Sequence, residues 1–187
     1  MEDSRNLKDE YKGLANEEVF RILSKNRNSL EVTIENVDHD FNIGTVVRNA
    51  NNFNVSKVNI IGRKKYNRRG AMCTDKYLEI RHFATVTEFL KTQSGRELVA
   101  IENNVSKEIL EKVYKTPENL HVKSLLDKKF SNKTTLIFGS EGGGISEELL
   151  SHCSDIREIP DYGSTRSINV GVASGIAMYE WTRQQKR

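Results

Sequence analysis

Five short runs rich in β-branched and other apolar residues recur along the chain, and they constrain its fold more than any other feature. They are residues 30–37, 57–62, 97–102, 134–139 and 155–160. Several are almost continuously apolar, which is typical of strands covered on both faces of a sheet. Helical patterns lie between them, at residues 43–53, 87–93, 146–152 and 168–183. This alternation predicts an α/β domain with a mainly parallel sheet flanked by helices.

The division of the chain follows from its length and from the position of the first strand. The chain has 187 residues, which usually build one core. A short helical pattern at residues 16–25 precedes the first strand. We therefore predict a short N-terminal helical extension over residues 1–29 and one main domain over residues 30–187. Residues 103–132 are polar and weakly patterned, and the sequence predicts no structure for them.

Composition bounds the location and excludes some kinds of site. The first ten residues are polar and charged, so no signal peptide is expected, and no apolar stretch approaches the roughly 18 residues of a membrane span. Cys73 and Cys153 stand without a CxxC motif or a neighbouring histidine. We therefore predict a cytoplasmic protein with neither a membrane segment nor a metal site.

The first candidate motif is FNIGTVVRNANNF, residues 41–53. Its apolar residues form one helical stripe, and Asn42 is a natural N-cap for that helix. Gly44, Arg48 and Asn52 share another face at four-residue spacing. A glycine inside a helix lowers its stability by up to about 1 kcal/mol relative to alanine, which predicts a close approach at Gly44. The alternative is an ordinary capped helix with an exposed arginine.

The second motif is a glycine-rich loop, FGSEGGGIS, residues 138–146. It lacks the GKS or GKT of a P-loop and the GxGxxG of a dinucleotide-binding turn. Glu141 within the loop would repel a pyrophosphate, whereas a cation or a ligand rich in hydroxyl and amine donors would be favoured. S-adenosylmethionine, with its sulfonium, ammonium and ribose diol, has this chemistry. The alternative is a mobile turn with a solvated Glu141.

The third motif is IPDYGSTRSINVGVASGIAMYEW, residues 159–181. A bend rich in polar side chains leads into a helix with glycine at 171 and 175 and alanine at 173 and 177. Small residues at four-residue spacing allow another helix to pack closely. The alternative is a polar turn that precedes an ordinary core helix.

A basic segment, RKKYNRR at residues 63–69, is a candidate RNA-binding element. Positive charge beside an aromatic residue suits a phosphate backbone and a stacked base, although a solvated loop is the simpler interpretation of the segment alone. The predicted RNA-binding residues are Arg63, Lys64, Lys65, Arg68 and Arg69.

Together the three motifs, in this order and at these separations, resemble the SpoU (TrmH-like) class of SPOUT RNA methyltransferases. NIGxxxR, FGSEGGGIS and IPxxGxxxSINVxVAxGIxxYE match the three family motifs, and the resemblance runs from about residue 31 to 181. One departure is Gly171, where the family commonly has serine. The resemblance implies that residues 30–187 form a SpoU-type methyltransferase domain.

The resemblance implies a C-terminal deep trefoil knot (the SPOUT, or alpha-beta knot, fold), a homodimer, and S-adenosyl-L-methionine as the cofactor. By position it implicates six residues in cofactor binding: Gly139, Glu141, Gly142, Ile159, Pro160 and Ile168. The expected catalytic set is Asn42, Arg48, Glu141, Ser167 and Asn169.

The implied reaction is methyl transfer to a ribose 2′-hydroxyl of RNA, with either tRNA or rRNA as substrate. Arginine stays protonated in proteins, so we expect Arg48 to bind the adjacent phosphate and stabilise the developing alkoxide, with the proton acceptor left open. Asn42, Ser167 and Asn169 would position the reacting groups. Two alternatives remain: methylation of a base, as in other SPOUT classes, and a non-catalytic RNA-binding protein on the same scaffold.

Overall fold

The fold is built from strands and helices that alternate along most of the chain. The computed structural model describes residues 5–35, 40–62, 66–114, 122–140 and 142–185, without the side chains of Asp40 and Phe41. The strands in these ranges are β1 (Glu31–Glu35), β2 (Lys57–Ile61), β3 (Ile80–Phe83), β4 (Glu97–Ile101), β5 (Lys123–Ser124), β6 (Thr134–Phe138) and β7 (Asp155–Glu158). The α-helices are α1 (Asn16–Ser24), α2 (Asp40–Asn52), α3 (Val86–Leu90), α4 (Lys107–Val113), α5 (Glu147–Leu150) and α6 (Val170–Gln185).

The strands form one sheet in the order β3-β2-β1-β6-β4-β7-β5, and every pair within the described residues is parallel. The predicted α/β class and parallel sheet are therefore confirmed. All five predicted strands are present. The short β3 and β5, at the two edges of the sheet, were not predicted, and neither was α4, which lies in the polar stretch 103–132.

Alternating side chains of the central strands serve two apolar layers. Leu136 and Phe138 of β6 belong to the core beneath α2 and α6, whereas Ile137 between them belongs to the core beneath α3, α4 and α5. The sheet is thus covered on both faces, as the apolar runs predicted. No helix in the described ranges is long and apolar enough to cross a membrane.

Gly44 lies where another part of the backbone crosses α2. A Cβ atom at this position would lie 2.7 Å from the Ala71 backbone nitrogen and 2.9 Å from the Asn67 carbonyl oxygen. Both atoms belong to the segment around the 3-10 turn Arg68–Ala71, which overlaps the end of the basic segment. The predicted close approach is confirmed, and it is made by the protein's own backbone.

The start of α2 differs from the sequence-based prediction. The helix begins at Asp40, so Asn42 lies inside its first turn and is not the N-cap. Its side chain is buried, and its Oδ1 accepts a hydrogen bond of 3.0 Å from Asn169 Nδ2. Asn42 therefore links α2 to the residue that precedes α6.

Candidate functional site

A cavity of about 490 Å³ opens at the carboxyl edge of the sheet, between the loops that follow β4, β6 and β7. This edge is the usual ligand-binding edge of parallel α/β sheets. Its lining residues in the described ranges are Ile101, Glu102, Asn103, Asn104, Phe138, Gly139, Ser140, Gly142, Gly143, Gly144, Ile159, Ser167, Ile168, Asn169, Val170 and Ala173. The second and third motifs therefore meet in one place.

The glycine loop folds back on itself and forms one wall of the cavity. Ser140 and Gly144 exchange backbone hydrogen bonds of 3.1 and 2.9 Å, and Gly144 has a left-handed φ of +63°. A Cβ atom at Gly139 would lie 2.1 Å from the Gly144 carbonyl carbon. Only glycine fits at 139, because the segment that enters the loop contacts the backbone of the segment that leaves it there.

Glu35, at the end of β1, holds the exit of this loop. Its carboxylate is buried and accepts hydrogen bonds from the Ser146 backbone N–H at 2.7 Å and from the Ser146 hydroxyl at 2.5 Å. Ser146 in turn caps α5, since its Oγ accepts a hydrogen bond from the Leu149 backbone N–H. A satisfied buried carboxylate therefore fixes where the glycine loop ends.

Asn169 joins the third motif to the first. Its Oδ1 accepts hydrogen bonds from the Gly171 and Val172 backbone N–H groups at 2.9 and 3.4 Å, which caps the start of α6. Its Nδ2 donates to Asn42 Oδ1. Farther along, Asn49 Nδ2 donates to the Gly171 carbonyl at 2.7 Å. One side of α2 is therefore fastened to the first turns of α6.

The two glycines of α6 face this contact, as the spacing of its small residues predicted. A Cβ atom at Gly171 would lie 2.7 Å from Thr45 Cγ2, and one at Gly175 would lie 3.3 Å from Asn49 Nδ2. The glycine at 171, where the family commonly has serine, thus has a local cause: Thr45 fills the space that a side chain would need.

Arg48 lies on an exposed flank of α2 and does not line the cavity. Successive helical residues are rotated by about 100°, which places Arg48 between the flank of Gly44 and that of Thr45. Gly44 faces the 3-10 turn at the end of the basic segment, and Thr45 faces α6. No hydrogen bond or ion pair joins the Arg48 side chain to the described part of the chain, so its guanidinium is available to a ligand there.

The predicted site residues fall into three groups. Gly139, Gly142, Ile159, Ile168, Ser167 and Asn169 line the cavity, and Asn42 contacts Asn169. Pro160 instead borders an adjoining recess of about 200 Å³. Glu141 lies outside the described residues, as do Arg63, Lys64 and Lys65 of the basic segment.

In the described part of the basic segment, some side chains already have partners within the protein. Arg68 forms an ion pair with the buried carboxylate of Asp75, and Tyr66 packs against the core, whereas Arg69 is exposed. Arg69 is therefore better placed than Arg68 to contact a phosphate, and the Tyr66 ring is only partly open to a base.

The motif-based reasoning missed the wall formed by the loop after β4. Asn103 pairs with Ile159 through two hydrogen bonds, Nδ2 to the carbonyl at 3.0 Å and the Ile159 N–H to Oδ1 at 3.2 Å. Asn104 Nδ2 reaches the Arg166 carbonyl at 3.4 Å. Glu102 is the one charged side chain among the described lining residues. An acidic residue directly after an apolar strand was the available sequence signal.

Comparison with known proteins identifies the family. The model of the SpoU rRNA Methylase family matches residues 29–179. The chain belongs to this family. A 62-residue stretch is 37% identical to the 23S rRNA (guanosine-2′-O-)-methyltransferase RlmB of Escherichia coli strain K12, covering 33% of this chain and 26% of that protein. RlmB of Photorhabdus laumondii is 36% identical over 62 residues, 33% of this chain and 25% of that protein. The match thus spans about a quarter of these curated relatives.

Solved structures share the fold. The TrmH/SpoU tRNA modifying enzyme of A. aeolicus superposes with a TM-score of 0.74 at 24% identity, covering 91% of this chain and 82% of that one. The SpoU methyltransferase AviRb from Streptomyces viridochromogenes, solved in complex with AdoMet, gives a TM-score of 0.70 at 20% identity, covering 86% and 60%. The SpoU-family chain therefore has the sheet and helix arrangement of these methyltransferases.

We predict that Gly171→Ser lowers the free energy of unfolding by about 1–3 kcal/mol, the usual penalty for overpacking. Adding Thr45→Ala should restore part of the loss, because it removes the methyl group 2.7 Å from the new Cβ atom and leaves the Cβ atom of residue 45 and Asn169 Oδ1 at 3.0 Å. Urea unfolding of the single and double variants measures this. Gly163→Ser is the control, since a Cβ atom there meets nothing within 4 Å. A single variant as stable as the wild type would contradict the packing argument.

Proposed function

We propose that this chain is an S-adenosylmethionine-dependent RNA methyltransferase that acts on a ribose 2′-hydroxyl of tRNA or rRNA. Membership of the SpoU family supports the class of reaction. The observation that carries the cofactor assignment is the charge of the cavity: its described lining contains a carboxylate and no basic side chain. Such a lining disfavours a phosphate-bearing ligand and suits one that presents a cation and several donors.

The residues of the cavity fit this cofactor in kind as well as in charge. The glycine loop presents backbone groups and little side-chain bulk, from Gly139 and Gly142 among others, and Ile168 before α6 adds an apolar surface. Glu141 would add a second carboxylate. When bound, S-adenosylmethionine supplies a methyl group on a sulfonium centre. The group that leaves is a neutral thioether, which needs no protonation.

Arg48 is proposed to act on the RNA. The 2′-hydroxyl is a poor nucleophile near neutral pH, so a site must orient it and stabilise the charge that develops as the proton leaves. The Cα–Cβ bonds of a helix tilt toward its N-terminus, and α2 starts at the carboxyl edge of the sheet. The Arg48 side chain is therefore directed toward the edge where Asn169 and Ser167 lie. The N–H groups of its guanidinium are then free to bind a phosphate and the developing alkoxide.

Asn42 and Asn169 are proposed as positioning residues. Their mutual hydrogen bond fixes α2, which carries Arg48, relative to the start of α6. Ser167 lies on the cavity wall with an exposed side chain and is proposed to orient the 2′-hydroxyl or the loop around it.

The two alternative functions, base methylation and RNA binding without catalysis, predict different products. Base methylation would leave the methyl group on a base, and a non-catalytic protein would bind RNA without methyl transfer.

The assembly that we propose is a cytoplasmic homodimer with the C-terminal segment threaded as a trefoil knot, as in the SpoU resemblance. An exposed apolar face of α6 supports the dimer, because three side chains lie on it at i, i+4 and i+7: Val172, Ile176 and Tyr179.

Ile176→Glu should shift the protein to monomers in sedimentation equilibrium, with Glu108→Lys on α4 as the control for surface charge. A wild-type monomer with full activity would refute the dimer.

We predict that Arg48→Ala leaves folding and cofactor affinity nearly unchanged and lowers turnover several-hundredfold, since such contacts at a developing oxyanion are worth about 3–4 kcal/mol. Arg48→Lys should rescue poorly because an ammonium lacks the guanidinium fork. Single-turnover methylation at saturating RNA and cofactor measures the rates, and nucleoside analysis locates the methyl group. Wild-type turnover in the alanine variant would refute the role of Arg48, and a methylated base would refute the reaction class.

The basic segment is proposed to bind RNA phosphates. The test variant replaces three residues with alanine and keeps the Arg68–Asp75 ion pair: Arg63, Lys64 and Arg69. The control removes equal charge from exposed lysines that form no ion pair within the described residues: Lys91, Lys129 and Lys133. We expect only the first variant to weaken RNA binding strongly and to flatten its salt dependence. Equal effects of both variants would show that the segment is a solvated loop.

A further inference from the structure

Glu102 divides its two carboxylate oxygens between two tasks. It follows the last residue of β4, and its Oε1 accepts hydrogen bonds from the backbone N–H groups of Asn103 and Asn104 at 3.1 and 3.3 Å. Within the described residues, no donor reaches Oε2. This oxygen lies against the glycine loop, because a Cβ atom built on Gly144 would be 2.8 Å from it. Glu102 thus presents one unused acceptor to the cavity that it lines.

The carboxylate is held in place by the turn that it stabilises. Asn103 is fastened to Ile159 by two hydrogen bonds, so the turn after β4 is attached to the segment that follows β7. Oε1 is fixed by this turn, which leaves Oε2 little freedom to move away from the cavity. An acceptor positioned before binding loses less conformational entropy when a ligand arrives.

The ligand chemistry that matches a single free carboxylate oxygen is a pair of adjacent hydroxyl groups. An acidic side chain close to the carboxyl end of a parallel strand is a recurring way to bind a nucleoside ribose, as in dinucleotide-binding sheets. The strand here, β4, is flanked by β6 and β7, whose loops form the other walls of the cavity. A nucleoside enclosed by these loops would therefore bring its ribose close to Glu102.

We propose that Oε2 of Glu102 accepts hydrogen bonds from the ribose hydroxyls of S-adenosylmethionine. The inference rests on the proposed function, since it assigns a residue to that cofactor. Glu102 is a binding residue in this account, with no part in the transfer itself. A side chain at position 144, where the left-handed φ already favours glycine, would also crowd this oxygen, because its Cβ atom would lie 2.8 Å away.

The test is Glu102→Gln, which separates the two tasks. The amide oxygen of glutamine still accepts from the Asn103 and Asn104 N–H groups, while its NH2 replaces the acceptor that faces the cavity. Calorimetry then compares two probes, S-adenosylhomocysteine and 5′-methylthioadenosine, which share the ribose but differ in the amino-acid moiety. We expect roughly 10- to 100-fold weaker binding of both probes, the usual effect of losing hydrogen bonds to a charged acceptor. Unchanged thermal unfolding would show that the turn is intact.

Three other results would contradict either the contact proposed for Glu102 or the proposed function. Weakened binding of S-adenosylhomocysteine alone would move the contact from the ribose to the ammonium group and refute the proposal. Equal affinity of variant and wild type for both probes would refute it as well. Glu108→Gln, an exposed glutamate on α4, is the matched control and should bind both probes normally. A wild-type protein that binds neither probe would refute the proposed function itself.

Discussion

The hydrogen bond between Asn169 and Asn42 is the contact on which the arrangement of the site depends. Asn169 caps α6 with its oxygen and reaches α2 with its nitrogen, so one side chain sets the relation between the two helices. The close contact of Thr45 with Gly171 and of Asn49 with the Gly171 carbonyl then follows. Because Arg48 belongs to α2 and Ser167 precedes α6, this contact also sets the spacing between the proposed RNA-binding and cofactor-binding groups.

Two carboxylates at the carboxyl edge of the sheet illustrate how the same residue type serves different purposes. Glu35 has both oxygens engaged by Ser146, and it stabilises the exit of the glycine loop. Glu102 has one oxygen engaged by its own turn and the other open to the cavity. A buried acceptor without a donor is costly, whereas one at a cavity wall remains available to a ligand. The difference in hydrogen bonding separates the structural acid from the candidate binding residue.

Hydrophobic pattern predicted the central part of the fold because those strands are buried on both faces. It failed at β3, where Arg81 and His82 are exposed, and at β5, which has only two residues. The three motifs indicated much of the cavity, yet the wall after β4 carries no motif, because it is defined by tertiary contacts such as the hydrogen bonds between Asn103 and Ile159. The N-cap assigned to Asn42 was wrong because α2 starts two residues earlier, a boundary that tertiary contacts decide.

The most direct test of the central claim is the crystal structure of the wild-type protein grown with S-adenosylhomocysteine. The account predicts the nucleoside in the cavity between the loops after β4, β6 and β7, in contact with the backbone of the glycine loop and of the segment before α6. Arg48 should lie outside the cofactor contacts, on the side open to RNA. A nucleoside bound elsewhere, or a phosphate-bearing nucleotide bound in this cavity in preference to it, would contradict the account.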